Sequence, residues 1–543
     1  MDIIDAVADS PQAKGLTADR LLSRRGAILL AGGLGALFVV LFAWPVGRVL
    51  AEGLRPAAVR EVLRDSRIRS VAWFSLWQAA ASTVAAVGIA IPIAAVVAKT
   101  EFPGRRFTLG LLSAPFALPA VVVGTSILLV SPRSIRGTAG IIICAHILYN
   151  VGFVARSLTA ALEHLGSNPF DAARSLGATP TRALLTVELP LLRGTLKRVA
   201  GVVFGLCFAS FGTVLILGGP RRSTLDVEIH RQVFQFGRLD RSAVVAIIQL
   251  VILTFVLVRT QRQGRRDDLP NSAFRARRGR PQTATGWLGV ISVIVVAVAG
   301  VVLPLAGVLR RAFRNPNGAI GFENFRRLTE MTRGSGLATP PISALWVSIR
   351  AAILVGTLAI LTSTLVALVS NQNSQRWLAQ VLTIAPLATS PVTLGLGVLL
   401  GFAVSPVAWR SSPVMLLCIQ TIVCLPFALA TMTAASSAIP RQYLDSAATL
   451  GASPLQVQRT VWLPLLSGTL RAASGTVFAV ALGEFGAASI LVRPSSETLP
   501  VVIARLATKP GVVLTGQAAA LALLLGALTA FATGLTVSGR VEP

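Results

Sequence analysis

Apolar residues along this chain fall in long unbroken runs, and polar residues gather in short stretches between them. Gly26 to Trp44, Val71 to Val97, Gly140 to Phe153 and Thr515 to Val537 are almost free of charge over most of their length. A helix rises ~1.5 Å per residue and needs about 20 apolar residues to cross a bilayer, which most of these runs supply. The pattern predicts an all-α polytopic membrane protein with about twelve transmembrane helices. The spans lie near 26–47, 70–98, 107–131, 138–161, 194–218 and 241–259, then 286–309, 343–370, 380–404, 412–435, 468–492 and 513–537.

The polar punctuation orders these spans. Between spans six and seven lies the stretch 259–285, with Arg262, Arg265, Arg266, Arg275, Arg277, Arg278 and Arg280. The positive-inside rule places this linker in the cytoplasm, and an even span count brings both termini there too, although the presumed outer loop from Arg60 to Arg69 is also basic. The first 23 residues are polar, and the run after Arg24-Arg25 is longer than a cleaved signal segment, so it is expected to stay as the first span.

A repeat at a fixed offset of 274 residues divides the chain. Residues 189–196 read LPLLRGTL and residues 463–470 read LPLLSGTL. The same offset carries Gly201 onto Gly475, Phe204 onto Phe478, Phe211-Gly212 onto Phe485-Gly486, Pro220 onto Pro494 and Thr224-Leu225 onto Thr498-Leu499. Chance matching of apolar composition produces paired Leu and Ala, not ungapped Pro, Gly, Phe and Thr. The expected domains are therefore a first half at 1–258, the Arg-rich linker at 259–285 and a second half at 286–543. Six spans return the chain to its starting side, so the two six-helix repeats are parallel, an arrangement that in membrane proteins lines a central transport pathway.

Composition narrows the function. Of 543 residues, 53% are hydrophobic and 13% charged, more apolar surface than a soluble fold can bury. The net charge of +28 would suit nucleic acid, but the basic residues sit in loops between spans without an aromatic-studded groove. Lipid headgroups and topology explain them instead. Cys144, Cys207, Cys418 and Cys424 all lie inside apolar runs and match no zinc-site spacing. With only His146, His164 and His230 available, neither a metal centre nor catalytic chemistry is expected.

The loops between spans four and five of each half share one local design. The first, 168–190, reads NPFDAARSLGATPTRALLTVELP; the second, 440–464, reads PRQYLDSAATLGASPLQVQRTVWLP. Asn168 can cap a helix that begins at Pro169, with Asp171 near the positive end of its dipole. Gly177 and Gly451 can end the first helix in a left-handed conformation. Thr179-Pro180 and Ser453-Pro454 restart it, Ser453 forming a capping box with Gln456, and Pro190 and Pro464 close the element. Such a unit is a short rigid docking knob, though a single copy would equally suit a helix lying in the membrane interface.

These loops resemble the Glu-Ala-Ala signature of binding-protein-dependent ABC importer permeases. The first copy matches at Asp171, Ala172, Ala173, Gly177, Val187, Leu189 and Pro190, and the second at Asp445, Ser446, Ala447, Gly451, Val461, Leu463 and Pro464. Asp replaces Glu, Val replaces Ile, and Ser446 replaces the first Ala. The resemblance covers nearly the whole chain. Its fused layout, Phe102-Pro103-Gly104-Arg105-Arg106 and the segment 210–250 are similar to ferric-iron and thiamine importer permeases.

The resemblance implies that both loops couple to the two copies of a homodimeric ATPase, and that a substrate-binding protein delivers the solute from outside. It implies a location in the inner membrane. This chain has no phosphate-binding loop, because Lys99 alone precedes a Ser or Thr and Ala98 stands where glycine is required. ATP and Mg²⁺ therefore belong to the partner, and no cofactor is expected here.

Pathway candidates follow from the spans. Glu484 lies within span eleven, where an ionisable residue faces either a wet cavity that attracts a cationic solute or a fixed structural partner. Its repeat partner is Ser210, and Phe211 and Phe485 beside them are candidates for an apolar gate or for core. The paired glycines at 201 and 475, and at 212 and 486, suit close helix approach. Asp226 and Glu228 are expected in a solvated loop or against the binding protein. The competing class is an ion-driven carrier of the major-facilitator kind, but Lys99 to Arg106 lacks the Gly-x-x-x-Asp-Arg loop expected of it.

Overall fold

The computed structural model describes residues 21, 24–165, 168–266, 278–370, 375–402, 412–494 and 496–537. The side chains of Asn168, Arg262, Arg265 and Arg266, and all of Arg275 and Arg277, lie outside the described residues. Among the described residues the chain is helical, with isolated bridges at Thr100–Gly279 and Arg314–Ile320 and no strand.

Nine described helices are long and apolar enough to cross a membrane. They correspond to spans one, two, four, six, seven, eight, ten, eleven and twelve. The other three expected spans are broken. Span three is split into Arg105–Ala117 and Ala120–Val130, and span nine into Arg376–Leu387 and Pro391–Gly401, the latter pair bent by 96°. Proline forces both breaks, because the residue before it is driven out of the helical region. Leu118 before Pro119 has ψ 140° and Ser390 before Pro391 has ψ 142°. Span five is interrupted between Arg193–Phe208 and Gly212–Leu217, and span eleven has its own break at Glu484 and Phe485. Apolar residues flank all four breaks.

The compact units of the fold are drawn differently from the sequence halves. One unit joins residues 1–49 with 345–496 and 527–543; the other joins 50–344 with 497–526. Span one therefore belongs to the unit built on the second repeat. Span seven, Ala284–Phe313, belongs to the unit built on the first and packs against both pieces of span three.

Within the unit built on the first repeat, span two, Ser66–Lys99, sets the direction. At its Lys99 end lie residues 278–279 of the linker and the loop 168–190. Gly279 N donates to Lys99 O at 3.1 Å, and Arg278 pairs with Glu163 at 3.2 Å. At its other end Asp65 caps the helix and pairs with Arg241, while Arg238 reaches Glu61 at 2.6 Å. Within the other unit, Leu21 O accepts a hydrogen bond from Gln458, which puts the start of span one beside the loop 440–464.

Asp226 and Glu228 are not in a solvated loop. Both are fully buried in the first turn of the helix Leu225–Phe234. Glu228 accepts from Gln232 at 2.8 Å and pairs with Arg231 at 3.4 Å, which offsets the cost of removing its charge from water. Neither residue is available to a docking protein.

Candidate functional site: two capped loops and two broken spans

The two loops close in the same way, bond for bond. The helices Asn168–Ser175 and Arg441–Thr449 end at Gly177, φ +83°, and Gly451, φ +85°. Ala178 N donates to Ala173 O at 3.0 Å and Gly177 N to Arg174 O at 3.0 Å. In the second loop Ala452 N donates to Ala447 O at 3.1 Å and Gly451 N to Ala448 O at 3.0 Å. This crossed pair satisfies carbonyls that a helix end otherwise leaves open. The signature alanines Ala173 and Ala447 supply the outer carbonyl in each copy.

Beyond the glycine the chain restarts as expected. Thr179 Oγ1 accepts from Arg182 N at 3.2 Å, and Ser453 with Gln456 forms the full capping box. Pro190 closes its element: after the π-helical stretch 184–188 the short helix Leu189–Leu191 ends at Leu192, and span five starts at Arg193. Pro464 does not close its own, because it sits after the π-helical stretch 458–462 in the helix Leu463–Gly483, which runs on. There the wider π turn relieves the clash between the proline ring and the preceding turn, so the helix passes through.

The tips share a feature that the sequence motif does not specify. Leu176 and Leu450, one residue before each glycine and 274 positions apart, are each 89% exposed. Asp171, Ala172, Gly177, Pro190, Ser446, Gly451 and Pro464 are exposed as well, Asp445 and Ala447 are partly buried, and Ala173 is buried. Each loop thus turns a short apolar peg outward and holds its base against the protein.

The bases are held by different chemistry. In the first loop Lys99 Nζ lies 2.5 Å from Glu188 and 3.6 Å above the Phe170 ring. One ammonium at the end of span two thus grips both limbs of the loop. In the second loop Trp462 occupies the repeat position of Glu188. It is buried with Leu21, Ala367, Leu368, Met432, Val457 and Leu466, and its indole N–H donates to Ser436 at 3.1 Å.

The broken spans bring together the pathway candidates of each repeat. At the break in span five, Ser210 Oγ lies 2.9 Å from His146 Nε2, and His146 Nδ1 lies 3.3 Å from Ser82. Carbonyls released by the break are bonded from elsewhere: Gln78 donates to Cys207 O at 3.0 Å and Thr224 to Ser210 O at 2.9 Å. At the break in span eleven, Glu484 accepts from Ala487 N at 2.8 Å, Ala488 N at 3.2 Å and Gln420 Nε2 at 3.1 Å. Its carboxylate caps the short helix Gly486–Leu491. Phe211 and Phe485 are both buried, Phe211 with its ring 5.4 Å from that of His230.

His146 and Gln420 are themselves 274 residues apart, so each repeat ties its broken span to span four or ten at equivalent positions. The offset that aligns the loops also aligns His146 with Gln420 and Glu188 with Trp462, and that was the available signal for these partners. Among the glycines, Gly201 leaves room for Thr260 and Gly486 for Pro391, the close approach expected of them.

A family model described as the inner membrane component of binding-protein-dependent transport systems matches the chain twice, at residues 90–265 and 359–538. The thiamine transport system permease protein ThiP of Brucella abortus is 29% identical over 494 residues, 86% of each chain. ThiP of Escherichia coli K12 is 27% identical over 464 residues, 81% of this chain and 83% of its own length. A probable ABC transporter permease protein, y4fN of Sinorhizobium fredii, is 24% identical over 484 residues, 82% of this chain and 83% of its own.

Proposed function

This chain belongs to the family of binding-protein-dependent transport system inner membrane components, and from that premise we propose that it is the fused permease of an ATP-driven thiamine importer. A substrate-binding protein delivers the solute from outside, and a homodimeric ATPase binds both loops, 168–190 and 440–464, in the cytoplasm. Both termini lie on that side. Broken spans five and eleven line the pathway through Ser210, Phe211, Glu484 and Phe485, since discontinuous helices are where membrane transporters build their sites.

The observation that carries the coupling reading is the pair of exposed leucines, Leu176 and Leu450, on identically closed helical turns. Apolar pegs of this exposure, on rigid bases, suit grooves on a protein partner. Thiamine is favoured over ferric iron by the ThiP relatives, which align over most of this chain. Glu484 supports the pathway as a fixed cap, because its described side-chain bonds are from Gln420 and the backbone amides of Ala487 and Ala488.

Reconstitution with its ATPase and binding protein tests the reading. Thiamine should stimulate ATP hydrolysis and ferric iron should not; the reverse result replaces the substrate. Leu176→Asp combined with Leu450→Asp should abolish co-purification of the ATPase while the permease remains folded. Coupled uptake that survives this double variant overturns the docking role of the loops.

A further inference from the structure

Span seven, Ala284–Phe313, is one of the least enclosed of the long helices. Its exposed residues Val295, Val302 and Leu303 fall on one face at helical spacing. Arg310 and Arg314 continue that face at the end opposite the docking loop of the same unit. Their neighbour Arg311 turns inward and donates to Thr515 Oγ1 at 3.0 Å. Arg310 and Arg314 make no ion pair among the described residues and are exposed.

A closed turn walls the space beside them. Arg314 and Ile320 form an antiparallel bridge, Gly321 N donates to Phe313 O at 2.8 Å, and Gly318 takes φ +89°. Phe313 packs against Phe322 and Phe325, both with ring centroids at 5.2 Å, which holds the turn in place. Ile320 is 89% exposed and Phe322 67% exposed at the level where the apolar face of span seven ends. Arg310, Phe313, Arg314, Gly318 and Ile320 line an open concavity of about 310 Å³.

We propose that this concavity binds the phosphate of an anionic membrane phospholipid, with Arg310 and Arg314 on the headgroup and the acyl chains along span seven. The arginines are continuous with a lipid-facing apolar stripe, and paired guanidinium groups match a phosphate in geometry and charge. Ile320 and Phe322 suit the glycerol and upper acyl region, where a soluble anion would gain nothing from them. The site lies on the outer side in the orientation proposed above, but its chemistry does not depend on that orientation.

Native mass spectrometry of the full chain, in detergent supplemented with phosphatidylglycerol or phosphatidylcholine, tests the proposal. The wild-type chain should retain phosphatidylglycerol about ten-fold or more over phosphatidylcholine, the scale expected for two arginines at a membrane surface. Arg310→Gln with Arg314→Gln should remove that preference, while Arg310→Lys with Arg314→Lys should keep most of it at an unchanged melting temperature. Millimolar inorganic phosphate should not displace the lipid. Equal lipid retention by the glutamine variant overturns the proposal, as does displacement by inorganic phosphate. Unchanged lipid binding with weakened stimulation by the binding protein would also overturn it, and would make this face a protein-docking surface.

Discussion

The loops at 168–190 and 440–464 have the same turn and the same exposed tip, but their bases are secured by opposite means. The first uses the Lys99–Glu188 ion pair with the ammonium over Phe170; the second uses a buried indole inside an aliphatic cluster. What the duplicated design keeps is a stiff connection between the peg and the ends of neighbouring spans. Charge and burial are alternative ways of making it. They differ in failure: an ion pair that loses one partner strands a buried charge, whereas an aromatic that is cut back leaves a cavity.

That contrast can be broken in graded steps. Trp462→Ala should have the largest effect, about 4 kcal/mol for truncating a buried indole, read as a lowered melting temperature in detergent. Lys99→Met should follow at about 3 kcal/mol, because Glu188 is left buried without its counter-charge. Adding Glu188→Leu to Lys99→Met should recover much of that loss, and a double variant no more stable than Lys99→Met would show that the pair is not a replaceable anchor. Gly177→Ala and Gly451→Ala should each cost about 1–2 kcal/mol, since both positions hold left-handed backbone. Their uptake should fall further than their ATPase binding, measured in proteoliposomes. Ser436→Ala should have the smallest effect, about 1 kcal/mol, by removing the acceptor of the Trp462 N–H.

The loops were legible in the sequence because their chemistry is local. Thr179, Ser453, Gln456, Gly177 and Gly451 act on backbone within a few residues, so the pattern alone specifies the turns. Lys99 was not legible as an anchor, because it acts on a residue 89 positions away. The spans were readable from apolar runs, yet the breaks at Ser210 and Glu484 were hidden, since the residues that satisfy them come from other helices. Asp226 and Glu228 misled for the same reason: charged residues read as solvated until the arginine and glutamine beside Glu228 are placed in space. Pro464 read as a terminator because a preceding π turn leaves no mark in composition.

The assignment of span one to the unit built on residues 345–496 bears on how the protein is made. Span one leaves the ribosome first, but the bulk of its compact unit is encoded some 300 residues later. At about 5–20 residues per second, that is a wait of roughly 15–60 seconds. During biogenesis this helix must rest in lipid or against a chaperone, and interruption of synthesis between the repeats would leave an orphan that cellular quality control can recognise.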